Sequence, residues 1–268
     1  MSIWNEVAPR YHKRWASEDK GPFASTKKLV DLVDIKKGNK VLDVACGTGV
    51  VTKKLIQKVG KTGYVIGADT SLTAIKIAKK WNYKTSNLLF VNADAENLSF
   101  KEKFDIITCQ YALFFFPNAS MALKNMRKSL KKAGKLGMSV HGHKDKVPYF
   151  GNILDAVTHF IPEYIPPGTP DLDRFGTKKL FRDEVKKAGF SNVIVKDYTF
   201  KYSPGSFDDY WRNYLKYVAK PIKEKLDSLE KSQRNELKEM IRENTKPHTK
   251  RSGIIQFPWE VLILTAKY

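Results

Sequence analysis

A chain of 268 residues, 42% hydrophobic and 12% aromatic, carries enough apolar side chain to pack the core of one large domain, so a disordered or low-complexity polymer is excluded. Lys and Arg number 48 against 28 Asp and Glu, a formal charge of +20, yet 39 of the basic residues are lysine and only nine arginine. Arginine is the side chain that pairs bidentately with bases and phosphates, so the excess reads as a solvated lysine surface; a nucleic-acid partner is the less favoured account.

Along the chain, β and α signals alternate. The first residues show no basic-then-apolar leader, and a cytoplasmic protein is expected. A first amphipathic helix is predicted over 24–34, with Leu29, Leu32 and Val33 turned inward. A strand over 40–45 leads to a helix bearing Val51, Leu55 and Val59. A second strand over 63–68 is followed by a helix capped by Ser71 and carrying Leu72, Ile75 and Ala78. Strands follow at 88–92 and 104–109. Asn118 opens a helix with Leu123, Met126 and Leu130 that Gly134 is expected to stop, and a fifth strand covers 135–141. Residues 143–175 hold Pro148, Pro162, Pro166, Pro167 and Pro170 around a helix near 150–160. After a helix over 178–187 and a strand over 191–200, residues 206–245 form a second insertion. There Ser206 and Asp209 resemble a capping pair, Phe207, Tyr210, Trp211, Tyr214 and Val218 share one face, and Pro221 opens a helix with Ile222, Leu226 and Leu229. A last strand is read at 257–266. The longest apolar run, Ile106 to Phe116, is about half a membrane span and contains Gln110, so no span is expected. The pattern is that of a doubly wound α/β sheet with helical insertions after strands five and six, all within one domain, 1–268.

The chemistry concentrates in Val41-Leu42-Asp43-Val44-Ala45-Cys46-Gly47-Thr48-Gly49. A strand runs into an acid, then into two glycines whose missing Cβ lets backbone approach a nucleotide. The G-x-G-x-x-G dinucleotide fingerprint requires a third glycine, and position 52 is Thr52. A carboxylate at Asp43 disfavours a pyrophosphate and suits a cationic ligand. S-adenosylmethionine, with a sulfonium, an ammonium and no phosphate, meets that requirement. Cys46 and Cys109 fit no metal-ligand spacing, so free thiols and no metal are expected.

These segments resemble, in order, the motifs of class I S-adenosylmethionine-dependent methyltransferases, and the wording of the first is most similar to the ubiquinone/menaquinone-biosynthesis type. Val65 to Ser71 looks like the second strand, Phe90 to Glu96 the third, Phe104 to Gln110 the fourth, Leu130 to Leu136 the passage into strand five, and Ala188-Gly189-Phe190 the turn into strand six. The resemblance implies a seven-stranded Rossmann-like sheet with strand seven antiparallel. It also implies a cofactor site of Asp43, Ala45, Cys46, Gly47, Gly49, Asp69 with Thr70 at the ribose, Asp94 with Ala95 at the adenine, and Cys109 with Gln110 beneath the methionine end. Tyr11, beside His12, is expected in an N-terminal lid. Cys109 is expected to pack rather than to act as a nucleophile.

Methyl transfer is an in-line displacement at an activated carbon, and positioning with water exclusion supplies much of the rate. Where the acceptor needs deprotonation, His141 and His143, at the tip of strand five, are the candidate bases. The insertions 143–175 and 206–245 are expected to cap the acceptor pocket. The expected acceptor is a small, partly apolar molecule such as a quinone or isoprenoid-type precursor, giving S-adenosylhomocysteine as the second product. The alternatives are an RNA or protein methyltransferase and a non-catalytic S-adenosylmethionine sensor. No Asn-Pro-Pro-Tyr follows strand four, where Gln110-Tyr111-Ala112-Leu113 stands, which disfavours adenine amino groups as acceptors.

Overall fold

The structure is a computed structural model that describes residues 4–16, 20–81, 86–162, 172–217 and 220–268. Helix α1 (Trp4–Arg14) precedes a 3-10 turn, Gly21–Ser25, and α2 (Thr26–Leu32). The first half of the sheet follows: β1 (Lys40–Val44), α3 (Val50–Val59), β2 (Tyr64–Asp69), α4 (Leu72–Trp81) and β3 (Leu88–Asn92). Next come β4 (Phe104–Gln110), α5 (Ala119–Ser129) and β5 (Leu130–His141). The remainder is α6 (Pro148–Phe160), α7 (Lys178–Lys187), β6 (Ser191–Gly205), α8 (Phe207–Tyr217), α9 (Lys220–Ser228), α10 (Lys231–Thr245) and β7 (Ile255–Lys267).

The seven strands lie in the order β3-β2-β1-β4-β5-β7-β6. β1 to β5 run parallel to their neighbours, while β7 is antiparallel to both β5 and β6. The expected seven-stranded topology is therefore present. The chain winds outward from β1 to β3, then returns to lay β4 against the other side of β1, with Val41 opposite Ile106 and Asp43 opposite Thr108. That reversal opens a crevice at the carboxyl ends of β1 and β4, the place where open α/β sheets bind ligands. The parallel strands are near-continuous apolar runs because helices cover both faces. α2 packs with α3 and α5 packs with α7, and right-handed crossovers put the two pairs on opposite faces.

At Gly137 of β5 a Cβ would stand 2.0 Å from Val33 Cγ1, so the end of α2 rests directly on strand backbone. Leu29 and Val33 are fully buried at this contact, while Leu32 is only half-buried.

Several boundaries differ from the sequence reading. Gly134 does not stop a helix. α5 ends at Ser129, and Leu130 already pairs with Phe104, so Gly134 lies inside β5. The register shifts between Phe104 and Ile106, and a Cβ at Gly134 would meet Leu130 and the Lys131 carbonyl, both at 2.9 Å; the glycine serves a bulge. Leu72 is 54% exposed at the first turn of α4, which buries Ala74, Ile75 and Ala78 instead. β6 runs on to Gly205 because its long antiparallel ladder with β7 continues past the end of β5. The second insertion holds three helices, and the third, α10, packs on α6 of the first. The Ser206–Asp209 pair forms, with Ser206 Oγ donating to Asp209 Oδ2 at 2.8 Å and accepting from the Asp209 amide at 3.2 Å. Pro166, Pro167, Pro170 and Val218 lie outside the described residues, as do the side chains of Pro221 and Ile222. Among the described residues no helix is long and apolar enough to cross a membrane, and no cluster of potential metal ligands occurs.

Candidate functional site

The crevice is built from three loops that leave the carboxyl ends of β1, β2 and β4. In the first, Ala45 (φ +53°), Gly47 (φ +55°) and Gly49 (φ +90°) all take left-handed backbone. Ala45 is the notable member, because a side chain there is strained and such strain collects at functional sites. Its turn is held by the Cys46 amide donating to the Ala68 carbonyl and the Gly49 amide donating to the Cys46 carbonyl. Nothing stands within 4 Å of where a Gly47 Cβ would point, so the backbone of this loop faces open space. The Cys46 side chain turns the other way, against Ile75, Ala78 and Phe90. Burial raises its thiol pKa well above the ordinary value.

Asp43 does not line the open space. It is 1% exposed, and its carboxylate accepts from Thr52 Oγ1 at 2.6 Å and Thr108 Oγ1 at 2.7 Å. These bonds tie β1 to α3 and β4 across the switch point. Burial pushes its pKa up to about 6, against the lowering effect of the two hydroxyls. Any influence on a ligand is therefore through the field of the carboxylate, behind the loop. Thr52, which breaks the glycine fingerprint, is one of its two hydroxyl partners.

Asp69 closes β2. Its Oδ2 accepts from the Gly47 amide and its Oδ1 from the Ser71 amide, both at 2.8 Å. Burial raises its pKa, opposed by those two amides. A carboxylate offers about four acceptor positions, so two remain for further donors such as a ribose diol. Asn92 braces the following turn by donating to the carbonyls of Asp69 and Thr70, both at 2.9 Å. Thr70 itself is exposed. Asp94 is an exposed cap that accepts from the Glu96 amide at 2.9 Å, and Ala95 behind it is buried.

At the end of β4, Cys109 is fully buried, and burial drives its thiol pKa upward, so it is a packing residue. Gln110 points away from any ligand. Its Oε1 accepts from Thr26 Oγ1 at 2.9 Å and its Nε2 donates to Ser25 Oγ at 2.9 Å, which leaves only its backbone for the crevice. Tyr111 follows with φ +53° and a hydroxyl 3.0 Å from Ser25 Oγ. This buried network fastens the start of α2 to the strand end.

Helix α1 straps the first two loops. Asn5 Oδ1 accepts from Ser71 Oγ at 2.9 Å and from the Thr73 amide at 3.2 Å, completing the N-terminus of α4. His12 Nδ1 lies 2.8 Å from Thr48 Oγ1, and its ring meets Trp81 edge-on. Burial lowers its pKa. Tyr11 contacts neither loop through a hydrogen bond; it packs edge-on against Trp4 and Phe23.

The two candidate bases part company. His143 carries a side chain 40% exposed, with Nδ1 3.1 Å from Asp145 and Nε2 3.5 Å from Asp173. It is a loop anchor whose two nitrogens are both engaged. His141 is 6% exposed, beneath aromatic rings, and burial lowers its pKa to about 3, which leaves it a weak base. Around it, Trp259 and Tyr149 stack, Trp15 meets both, and Tyr202 and Phe257 extend the cluster. Tyr210, on the shared face of the second insertion, is fully buried here and donates its hydroxyl to the Tyr149 carbonyl. Trp211 is half-buried and stacks on Tyr214.

Asn5, Thr52, Asn92, Thr108 and Trp259 were not legible as site residues. They act through side-chain bonds across 9 to 118 positions, and only Thr52 left a sequence trace, as the missing third glycine.

Comparison with known proteins agrees with this arrangement. A family profile described as a methyltransferase domain matches residues 35–166. The demethylmenaquinone methyltransferase of Staphylococcus carnosus (strain TM300) is 31% identical over 214 residues, covering 73% of this chain and 81% of that protein. The enzyme of the same name from Staphylococcus saprophyticus is 29% identical over 213 residues, covering 73% and 84%. Among solved structures, a Haemonchus contortus phosphoethanolamine N-methyltransferase in complex with S-adenosyl-L-methionine aligns at a TM-score of 0.56 with 13% identity, over 100% of this chain and 60% of that one. A SAM-dependent methyltransferase from Aquifex aeolicus aligns at 0.53 with 16% identity, over 71% and 91%. With this relative above 30% identity, the methyltransferase-domain match and the strand order above, the chain belongs to the class I S-adenosylmethionine-dependent methyltransferases and is similar within them to the ubiquinone/menaquinone-biosynthesis type.

Proposed function

We propose that this methyltransferase transfers its methyl group to a small, planar, partly apolar acceptor of the quinol type. The observation that carries the reading is the aromatic enclosure at the carboxyl ends of β4 and β5 and the amino end of the antiparallel β7, where Phe150 of α6 and Trp15, just past α1, complete the ring. Aromatic walls suit a flat ring and exclude water. The relatives named demethylmenaquinone methyltransferase point to the same acceptor class.

S-adenosylmethionine supplies the activated methyl on its sulfonium. In this proposal Ala45, Cys46, Gly47 and Gly49 admit it through backbone, Asp69 with Thr70 holds the ribose, and Asp94 with Ala95 borders the adenine. Asp43 favours the cationic end through its field, Cys109 and Gln110 contribute backbone and shape, and Tyr11 belongs to the lid. The insertions 143–175 and 206–245 cap the acceptor within one domain, 1–268.

The test incubates purified protein and S-adenosylmethionine with reduced demethylmenaquinone and, separately, with total RNA. S-adenosylhomocysteine formation and a methyl gain in the quinol by mass spectrometry are expected. Methylated RNA with an unchanged quinol would overturn the reading in favour of a nucleic-acid acceptor.

A further inference from the structure

His141 sits inside a shell of four aromatic rings. The centroids of Tyr111, Phe114, Phe150 and Trp259 lie 4.5, 5.4, 5.3 and 5.6 Å from its own. Trp259 Nε1 is 3.2 Å from His141 Nδ1. An indole N–H donates and never accepts, so the facing imidazole nitrogen must offer its lone pair. In a neutral imidazole the proton then resides on the other nitrogen, Nε2. Trp259 is 1% exposed and held by the rings of Tyr149 and Trp15, so it cannot turn away to release this choice.

The other polar atom in the shell, the Tyr111 hydroxyl, is committed to Ser25. Among the described residues Nε2 makes no hydrogen bond, yet it is not among the unpartnered polar atoms sealed from solvent, so it keeps an open approach although His141 is more than nine-tenths buried. An open donor of this kind bonds whichever acceptor reaches it and loses that bond when an apolar group covers it.

We propose that the Nε2–H of His141 is the specificity group of the acceptor pocket: a fixed donor that selects a flat acceptor through one of its oxygens, and not a base that removes a proton from it. This rests on the small-acceptor reading above. Burial keeps the imidazole neutral at ordinary pH, with a pKa near 3, so the donor persists through the working range. The flanking rings hold the plane of the acceptor while the N–H fixes its rotation within that plane. A hydrocarbon of the same outline would leave the donor unsatisfied, which is the strong form of discrimination available to a binding site.

Two measurements test this. In 15N-labelled protein, long-range 1H–15N correlation, with His141 assigned by its loss in His141→Gln, should show the neutral Nε2–H tautomer from pH 5 to pH 8. A charged ring or the Nδ1–H tautomer would overturn the proposal. Binding of 1-naphthol and naphthalene, which differ by one hydroxyl, is then measured with S-adenosylhomocysteine present. Native protein should prefer naphthol about tenfold, the worth of one hydrogen bond. His141→Leu should lose the preference, and His141→Gln, which keeps an N–H, should recover part of it. Equal binding by the native protein, or a preference that survives in His141→Leu, would equally overturn it. Calorimetric affinity for S-adenosylhomocysteine, expected unchanged, shows that each variant is folded. If the naphthol preference depends on His141 but demethylmenaquinol is not methylated, the quinol reading alone fails. If His141→Leu methylates demethylmenaquinol as well as the native enzyme does, the donor assignment alone fails.

Discussion

Replacing Asp69 by alanine separates two jobs of one carboxylate. In the structure both of its oxygens already accept a backbone amide, from Gly47 and from Ser71. Removing them orphans two amides whose bonds are only part-buried, so a stability loss of about 1–2 kcal/mol is expected rather than the full penalty of burial. The positions left on the carboxylate are those proposed for the ribose hydroxyls. Hydrogen bonds to a charged group are worth about 1.5–3 kcal/mol, so affinity for S-adenosylhomocysteine should fall roughly ten- to a hundredfold. Asp69→Asn is the sharper probe. Its amide brings a donor to a place where both neighbours are donors, so one of the two amides loses its acceptor although the shape is kept. Isothermal calorimetry gives the affinity and thermal unfolding gives the stability. An Asp69→Ala protein that binds S-adenosylhomocysteine as tightly as the native one, whatever its melting temperature, would refute the ribose role.

Asp43 supplies a pH signature. Its pKa is raised to about 6, so it gains a proton as pH falls through that value and its field on the ligand disappears. S-adenosylmethionine, which has the sulfonium charge, should lose affinity below about pH 6 relative to S-adenosylhomocysteine, which lacks it. A ratio of the two dissociation constants that stays flat between pH 5 and 7.5 contradicts this. For stability the sign is opposite to that of a paired carboxylate: the proton is held more tightly in the folded state, so ionisation of Asp43 disfavours folding as pH rises from about 4 to 6. Tyr210→Ala should lower stability by about 3–5 kcal/mol by emptying a fully buried site, and Tyr210→Phe by about 1 kcal/mol, both read by denaturant unfolding. Cofactor affinity of the folded Tyr210→Phe protein should be native; a large change there would make Tyr210 part of the site. Asn5→Ala removes the acceptor that α1 offers to α4, and hydrogen exchange of the Thr73 amide should accelerate. Unchanged protection would mean that α1 does not close over this loop. Any RNA binding should fade steeply with added salt, since exposed lysines such as Lys27 and Lys131 are already engaged with Asp31 and Asp105; filter binding that survives moderate salt would point to a built nucleic-acid face.

Most of the sheet was legible because its signals are local. The apolar strands, the turn glycines and the capping residues Ser71 and Asn118 each act within a few positions, and the elements they predict are present. Gly134 misled for a related reason: a glycine after a helix and a glycine at a bulge look alike until the partner strand is known. The cofactor loops could be named, but not the direction of their side chains. Asp43, Cys46 and Gln110 lie at the crevice in sequence and turn away from it in space, toward Thr52 and Thr108, toward Phe90, and toward Ser25 and Thr26. His141 and Trp259 are 118 positions apart, and only the pairing of β5 with β7 joins them.

The contact at Gly137 reaches further than its size suggests. There α2 settles onto bare strand backbone, and the turn that starts α2 holds both Gln110 and Tyr111. The wall proposed for the acceptor is thus adjustable from outside the pocket. A methyl group introduced at position 137 would lift the helix, loosen its grip on the end of β4 and swing the Tyr111 ring, with no substitution among the residues proposed to meet a ligand. Libraries meant to retune which acceptor the enzyme takes would gain by including the α2–β5 seam, where substitutions change the tilt of the wall and leave its chemistry intact.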